Sequence, residues 1–158
     1  MNQVKNIALV AHDHRKKDLA EWVEYNGKLR DHALVCTGTT GRMIEEVLEQ
    51  AAEESDEDDL KMPPITKLRS GPLGGDQQLG SMITEGKIDI LIFFWDPMEP
   101  QPHDVDVKAL LRIAVVYNIP IACNRSTADF VISSPLVDEK YTPQLKDYSE
   151  YLNRPVSR

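Results

Sequence analysis

Five short strings hold the side chains best able to do chemistry, and each follows an apolar run. They are Ala11-His12-Asp13-His14 with Lys16 just beyond, Thr37-Gly38-Thr39-Thr40-Gly41, Ser70-Gly71-Pro72-Leu73-Gly74-Gly75-Asp76, Asp96-Pro97 with a loop ending His103-Asp104-Val105-Asp106, and Asn124-Arg125-Ser126-Thr127. The second string speaks most clearly. Glycines let backbone N–H groups approach an anion, three hydroxyls supply further donors, and the following helix adds its positive dipole end, so the string reads as a phosphate cradle. A single threonine there would do no more than cap the helix. The Gly-Lys-Ser/Thr ending of a P-loop and the Gly-x-Gly-x-x-Gly dinucleotide turn are both missing.

Taken alone, Asp76 is an N-cap or first-turn acid stabilised by the helix dipole. Beside an anion cradle and a histidine, it becomes the carboxylate needed to take a proton next to a carbonyl. His103, just ahead of a helix cap at Asp104, is the candidate electrophile because it lies beyond the central strand. The remaining groups have plain structural readings as well. Asp13 suits a helix cap, Lys16 a solvated lysine that can fold back onto a phosphate, Asp96 a turn before proline, and Asp106 a first-turn helix acid.

These strings need a scaffold that brings them to one place. Apolar, β-rich runs at Asn6 to Ala11, Ala33 to Thr37, Ile65 to Ser70, Ile88 to Trp95 and Pro120 to Asn124 alternate with segments of helical spacing such as Leu19, Trp22, Val23 and Leu110, Leu111, Ala114, Val115. The alternation predicts an α/β domain with about five parallel strands between helices on both faces, a three-layer α/β/α arrangement. Ligands of open parallel sheets sit beyond the carboxyl ends of the strands, where all five strings fall. The acidic run Glu53 to Asp59 and Pro63-Pro64 predict a solvated loop over 53–64. A short helix over Ser126 to Ser133 precedes a polar tail (135–158) whose Tyr148, Tyr151 and Leu152 are suited to dock as a last helix. Trp22 and Trp95 are assigned to the core.

The 158 residues are 41% apolar, enough for a single domain with one substantial core. A net charge of −8 disfavours nucleic acid and gives an anionic metabolite no general steering, so any phosphate site has to be built locally. Cys36 and Cys123 suit neither a disulfide framework nor a zinc site and read as reduced, structural residues. With no apolar run near the roughly 18 to 20 residues of a membrane span, and no signal peptide pattern, the expectation is a cytoplasmic protein without membrane contact.

Taken together the strings resemble methylglyoxal synthase. The likeness extends through Glu85-Gly86-Lys87-Ile88-Asp89, Phe93-Phe94-Trp95-Asp96-Pro97, His103-Asp104-Val105-Asp106-Val107-Lys108-Ala109-Leu110 and Ser126-Thr127-Ala128-Asp129-Phe130, and covers most of residues 5 to 135. It implies a lyase acting on dihydroxyacetone phosphate, with Asp76 as catalytic base and a phosphate site on Lys16, Thr37, Gly38, Thr39, Thr40, Ser70 and Gly71. By the same resemblance His12 and His103 contact substrate, and Asp13, Asp96 and Asp106 line the active site. It further implies a homo-oligomer, commonly a hexamer, inhibited by inorganic phosphate. Two regions depart from the family pattern: residues 53–64 look like an insertion, and the tail after Ser134 matches poorly.

The chemistry implied is proton abstraction by Asp76 while neutral His103 stabilises an enediolate, followed by loss of phosphate. It needs neither metal nor organic cofactor. Triosephosphate isomerase divides the work between a carboxylate and a neutral histidine in the same way. Two other readings share the architecture. One is a non-catalytic anion-binding module like the regulatory domain of large carbamoyl-phosphate synthetases, which Asp76 and His103 argue against; the other is a nucleotide-binding Rossmann protein, which the missing glycine fingerprint argues against.

Overall fold

The computed structural model describes residues 1–55 and 60–155. Five parallel strands, β1 (Asn6–Ala11), β2 (Ala33–Cys36), β3 (Ile65–Lys67), β4 (Ile90–Phe94) and β5 (Ile121–Ala122), form one sheet in the order β3-β2-β1-β4-β5. Helices α1 (Lys16–Tyr25), α2 (Gly38–Glu53), α3 (Gly75–Thr84), α4 (Asp104–Val116) and α5 (Arg125–Ser133) connect or follow them. The three-layer α/β expectation is therefore met.

Side-chain alternation explains the layers. Ile7, Leu9 and Ala11 of β1, Leu34 and Cys36 of β2, and Ile90, Ile92 and Phe94 of β4 share one core with α1, α2 and α5. Their neighbours Ala8, Val10, Val35, Leu91 and Phe93 point the other way, against Leu79 and Ile83 of α3 and Val107, Leu110 and Ala114 of α4. Successive strand residues face opposite sides, so a strand apolar at every position is buried on both. Trp22 lies fully within the first core, with its indole N–H donating to Asp129 Oδ1 at 2.7 Å. Trp95 is only partly buried at the edge of the second.

The order of strand addition switches sides between β1 and β4: β2 and β3 extend to one side, β5 to the other. Parallel pairing sets Ala11 opposite Phe94, so His12 and Trp95 leave the sheet side by side. Such a switch point opens a crevice at the carboxyl ends of the strands.

Several boundaries differ from the sequence reading. Most strands are shorter, and β3 leaves the sheet after Lys67, where its backbone turns to meet the loop ahead of α2. Helix α2 continues through Glu53, which therefore belongs to a helix and not to the acidic loop; Asp56 to Asp59 lie outside the described residues. Among the described residues the last helix of the tail does not dock. Helix α6 (Ser149–Leu152) leaves Tyr148, Tyr151 and Leu152 exposed, the last two at 66% and 78%. Where the tail begins, Val137 is buried and the buried Lys5 ammonium bonds the carbonyls of Asn2 and Glu139.

Candidate active site

A cleft of about 320 Å³ opens at the switch point, near the lower end of the roughly 300–1,000 Å³ typical of small-molecule sites. His12, Asp13, Lys16, Thr37, Gly38, Thr39, Thr40, Ser70, Gly71, Asp76 and His103 all line it. Asp96 and Asp106 do not: one stands beside the cleft with Pro97 to Gln101, and the other faces a groove between α3 and α4.

The acid–base end is built from three loops. Asp76 sits in the first turn of α3 and is only 3% exposed, because Gly75 packs against the backbone of Arg69 so closely that a Cβ there would lie 2.0 Å from the Arg69 carbonyl oxygen. His103 occupies the N-cap position of α4, correcting the expected cap at Asp104, and is 9% exposed. Its Nε2 lies 3.5 Å from Asp76 Oδ2. Burial pushes the Asp76 carboxyl above the ordinary carboxylate range; His103 opposes the shift, and Asp106 adds to it from behind.

His12 completes this end. The Asp96 backbone N–H donates to its Nδ1 at 3.2 Å, and the ring meets Phe93 edge-on with centroids 5.1 Å apart. Burial, reinforced by His103, holds the imidazole below its ordinary pKa. With Nδ1 accepting, the neutral ring carries its proton on Nε2. Among the described residues His12 Nε2, Asp76 Oδ2 and His103 Nδ1 are buried without a hydrogen-bond partner. Buried polar atoms are nearly always paired, so three orphans around one cleft mark a place prepared for a ligand.

The cradle end comes from β1, β2 and β3. Thr37 holds the N-cap position of α2 and its hydroxyl makes no capping bond, while Thr39 and Thr40 lie within the first turn and do not cap the helix. Lys16, first residue of α1, donates to Thr39 Oγ1 at 2.6 Å and to Asp13 Oδ1. Asp13 thus serves the lysine instead of capping α1, and that bond holds its carboxyl below the usual range. The N–H of Thr39 belongs to the opening helical turn, whose amides lack the usual acceptor four residues back; the Thr40 N–H is taken by the Thr37 carbonyl at 3.0 Å.

Gly38 has a different part from the one its position suggests. Its N–H donates to the carbonyls of Arg69 and Leu68, at 3.0 and 3.2 Å, and so does not face an anion. The glycine is needed for its backbone: φ is +45°, and a Cβ would come within 2.7 Å of Ser70 Cα. It fastens the two glycine-rich loops to each other. Gly71 matters for space, since a Cβ there would sit 2.8 Å from His103 Nε2 and 3.0 Å from Asp76 Oδ2.

Gln101 also lines the cleft, and nothing in the sequence marks it. A glutamine in a proline-flanked loop carries no signal until the loop is folded over the site. The Asp96 side chain accepts from the Met98 N–H at 3.0 Å, the turn chemistry read for it.

The cleft thus joins a buried carboxylate–imidazole pair to an anion cradle in one small space. Comparison with known proteins gives the same direction. The MGS-like domain family matches residues 18–123. Methylglyoxal synthase of Maridesulfovibrio salexigens is 56% identical over 155 residues, 98% of this chain and 99% of that protein. Methylglyoxal synthase of Coxiella burnetii is 54% identical over 152 residues, 96% and 97% of the two chains. The crystal structure of methylglyoxal synthase from Elizabethkingia anophelis NUHP1 superposes with a TM-score of 0.86 at 51% identity, covering 99% of this chain and 95% of that one. Identity above one half along nearly the whole of both chains leaves one assignment: this chain is an enzyme of the methylglyoxal synthase family.

Proposed function

We propose that the chain converts dihydroxyacetone phosphate to methylglyoxal and inorganic phosphate, with Asp76 as the base. The observation that carries this reading is the Asp76 carboxylate, buried, unbonded at Oδ2 and close to His103, in the same cleft as the Lys16–Thr39 pair. Asp76 takes a proton from the hydroxymethyl carbon. Electron density moves onto the ketone oxygen, where imidazole donors from His103 and His12 stabilise the enediolate. The raised pKa of Asp76 makes it a stronger base than a solvated carboxylate, which suits a weak carbon acid.

Phosphate departs as the enediolate collapses. The C–O bond to phosphate breaks readily when it stands perpendicular to the enediolate plane and overlaps the π system, whereas an in-plane phosphate favours isomerisation. Lys16, Thr37, Thr39, Thr40, Ser70 and the first-turn amide of Thr39 hold the group in that orientation and stabilise the departing anion. Released phosphate occupies the same cradle, so it inhibits as a product. Exposed Leu73, Val105, Val115 and Phe130 supply apolar surface suited to a homo-oligomer.

Product analysis tests the reading. Incubation with dihydroxyacetone phosphate should release methylglyoxal and phosphate in equal amounts; glyceraldehyde 3-phosphate as the main product would count against elimination.

A further inference from the structure

Beside the cleft, three side chains converge from two segments that the proposed chemistry does not use in this way. His14 lies in the turn Asp13–Arg15 before α1, while Asp96 and Glu99 stand in the loop after β4. Among the described residues they form the one group of three His, Cys, Asp or Glu side chains whose ligand atoms all lie within 4.8 Å of each other. His14 Nδ1 is 3.0 Å from Glu99 Oε2 and 3.7 Å from Asp96 Oδ2.

Two features separate this group from an ordinary surface ion pair. Asp96 is 8% exposed, and with Oδ1 engaged by the Met98 N–H its other oxygen turns toward His14 beyond hydrogen-bond distance. Glu99 Oε2 is a buried atom that makes no hydrogen bond among the described residues, despite its closeness to the imidazole nitrogen. The imidazole nitrogen pairs with both carboxylates as an ion when protonated; when it is neutral, one nitrogen and two carboxylate oxygens lie close enough together to share a cation.

An imidazole and two carboxylates suit a divalent first-row ion such as zinc or manganese. Metal–ligand distances of about 2.0–2.2 Å set neighbouring donors roughly 3–4 Å apart, so two of the three pairs already match. The third pair, between the two carboxylates, lies within 4.8 Å, and Glu99, whose side chain is 37% exposed, has room to adjust it by rotation.

We propose that His14, Asp96 and Glu99 form a divalent transition-metal site at the rim of the cleft, completed by water, and that the bound ion restrains the enzyme. Its leverage comes from position. The Asp96 N–H holds His12, and the loop running on from Glu99 carries Gln101 and His103. An ion bridging that loop to the turn before α1 stiffens the cleft wall without entering the reaction, so it slows turnover. The site itself stands independently of the proposed reaction; only the restraint rests on it.

Zinc is the probe. Equilibrium dialysis with elemental analysis should find one zinc per chain in the wild-type protein, with affinity at least tenfold weaker in His14→Ala and in Glu99→Gln. Both variants should keep metal-free turnover and lose inhibition by zinc. No zinc uptake by wild type, equal affinity in all three proteins, or zinc displaced by inorganic phosphate and lost only in His103→Ala would overturn the site, the last by moving the ion into the cleft. Zinc bound at His14 and Glu99 with unchanged turnover would overturn the restraint alone.

Discussion

Asp76 Oδ2 and His103 Nε2 lie 3.5 Å apart, beneath a Gly71 that has no side chain to come between them and a substrate. Two segments that are remote in sequence meet here. The tight packing of Gly75 on Arg69 sets the start of α3, and the N-terminal turn of α4 presents the imidazole. Small changes around this pair should therefore register directly in the rate.

Gly71→Ala should fold normally yet turn over slowly. The added methyl meets His103 Nε2 at 2.8 Å and Asp76 Oδ2 at 3.0 Å, so one or both reacting groups must move. Misplacement on that scale costs roughly 10²-fold in rate. Steady-state kinetics with a thermal melt on the same sample separates lost activity from lost structure.

Gly38→Ala should do the reverse and strike stability first. It combines a left-handed backbone, at φ +45°, with a Cβ clash against the Ser70 backbone. Strain and overpacking of this kind cost about 2–4 kcal/mol, or roughly 5–15 °C in Tm for a chain of this size. A melt within about 2 °C of wild type would contradict the account of this residue.

Lys16→Met should weaken phosphate binding by roughly tenfold or more, as expected for loss of one charge-assisted contact. Thr39→Ala should weaken it less, because the ammonium stays. Inhibition constants for inorganic phosphate on both variants check the order.

The pH dependence follows from the direction of the Asp76 shift. The carboxylate is the active form, and burial raises its pKa above the ordinary value of about 4, so activity is lost as pH falls through that raised value. The same shift opposes folding. The buried carboxylate disfavours the folded state above its raised pKa, and that cost disappears when the group is protonated in both states, below about pH 4. Asp76→Asn should therefore be more stable than wild type near pH 7, with the gain shrinking toward pH 4. Melts of both proteins at the two pH values read the difference directly.

What the sequence made legible was periodic or local. Unbroken apolar runs such as Ile7 to Ala11 and Ile90 to Phe94, set between segments of helical spacing, pointed to the doubly covered sheet, and the strand ends to the residues of the cleft. The rest depends on contacts between distant segments. Nothing local to Thr37-Gly38-Thr39 shows that the Gly38 N–H is taken by carbonyls from the next loop. Gln101 reaches the cleft only because its loop folds across, and Asp96 faces away because its Oδ1 is drawn to the Met98 N–H. Apolar residues in the tail gave a docking signal by composition, yet Tyr151 and Leu152 remain exposed.

The most direct test of the central claim compares wild type with Asp76→Asn on dihydroxyacetone phosphate, measuring methylglyoxal release and phosphate affinity together. Loss of a general base predicts turnover reduced by roughly 10²–10⁴-fold with phosphate affinity nearly unchanged. Turnover within a few-fold of wild type would show that another group removes the proton.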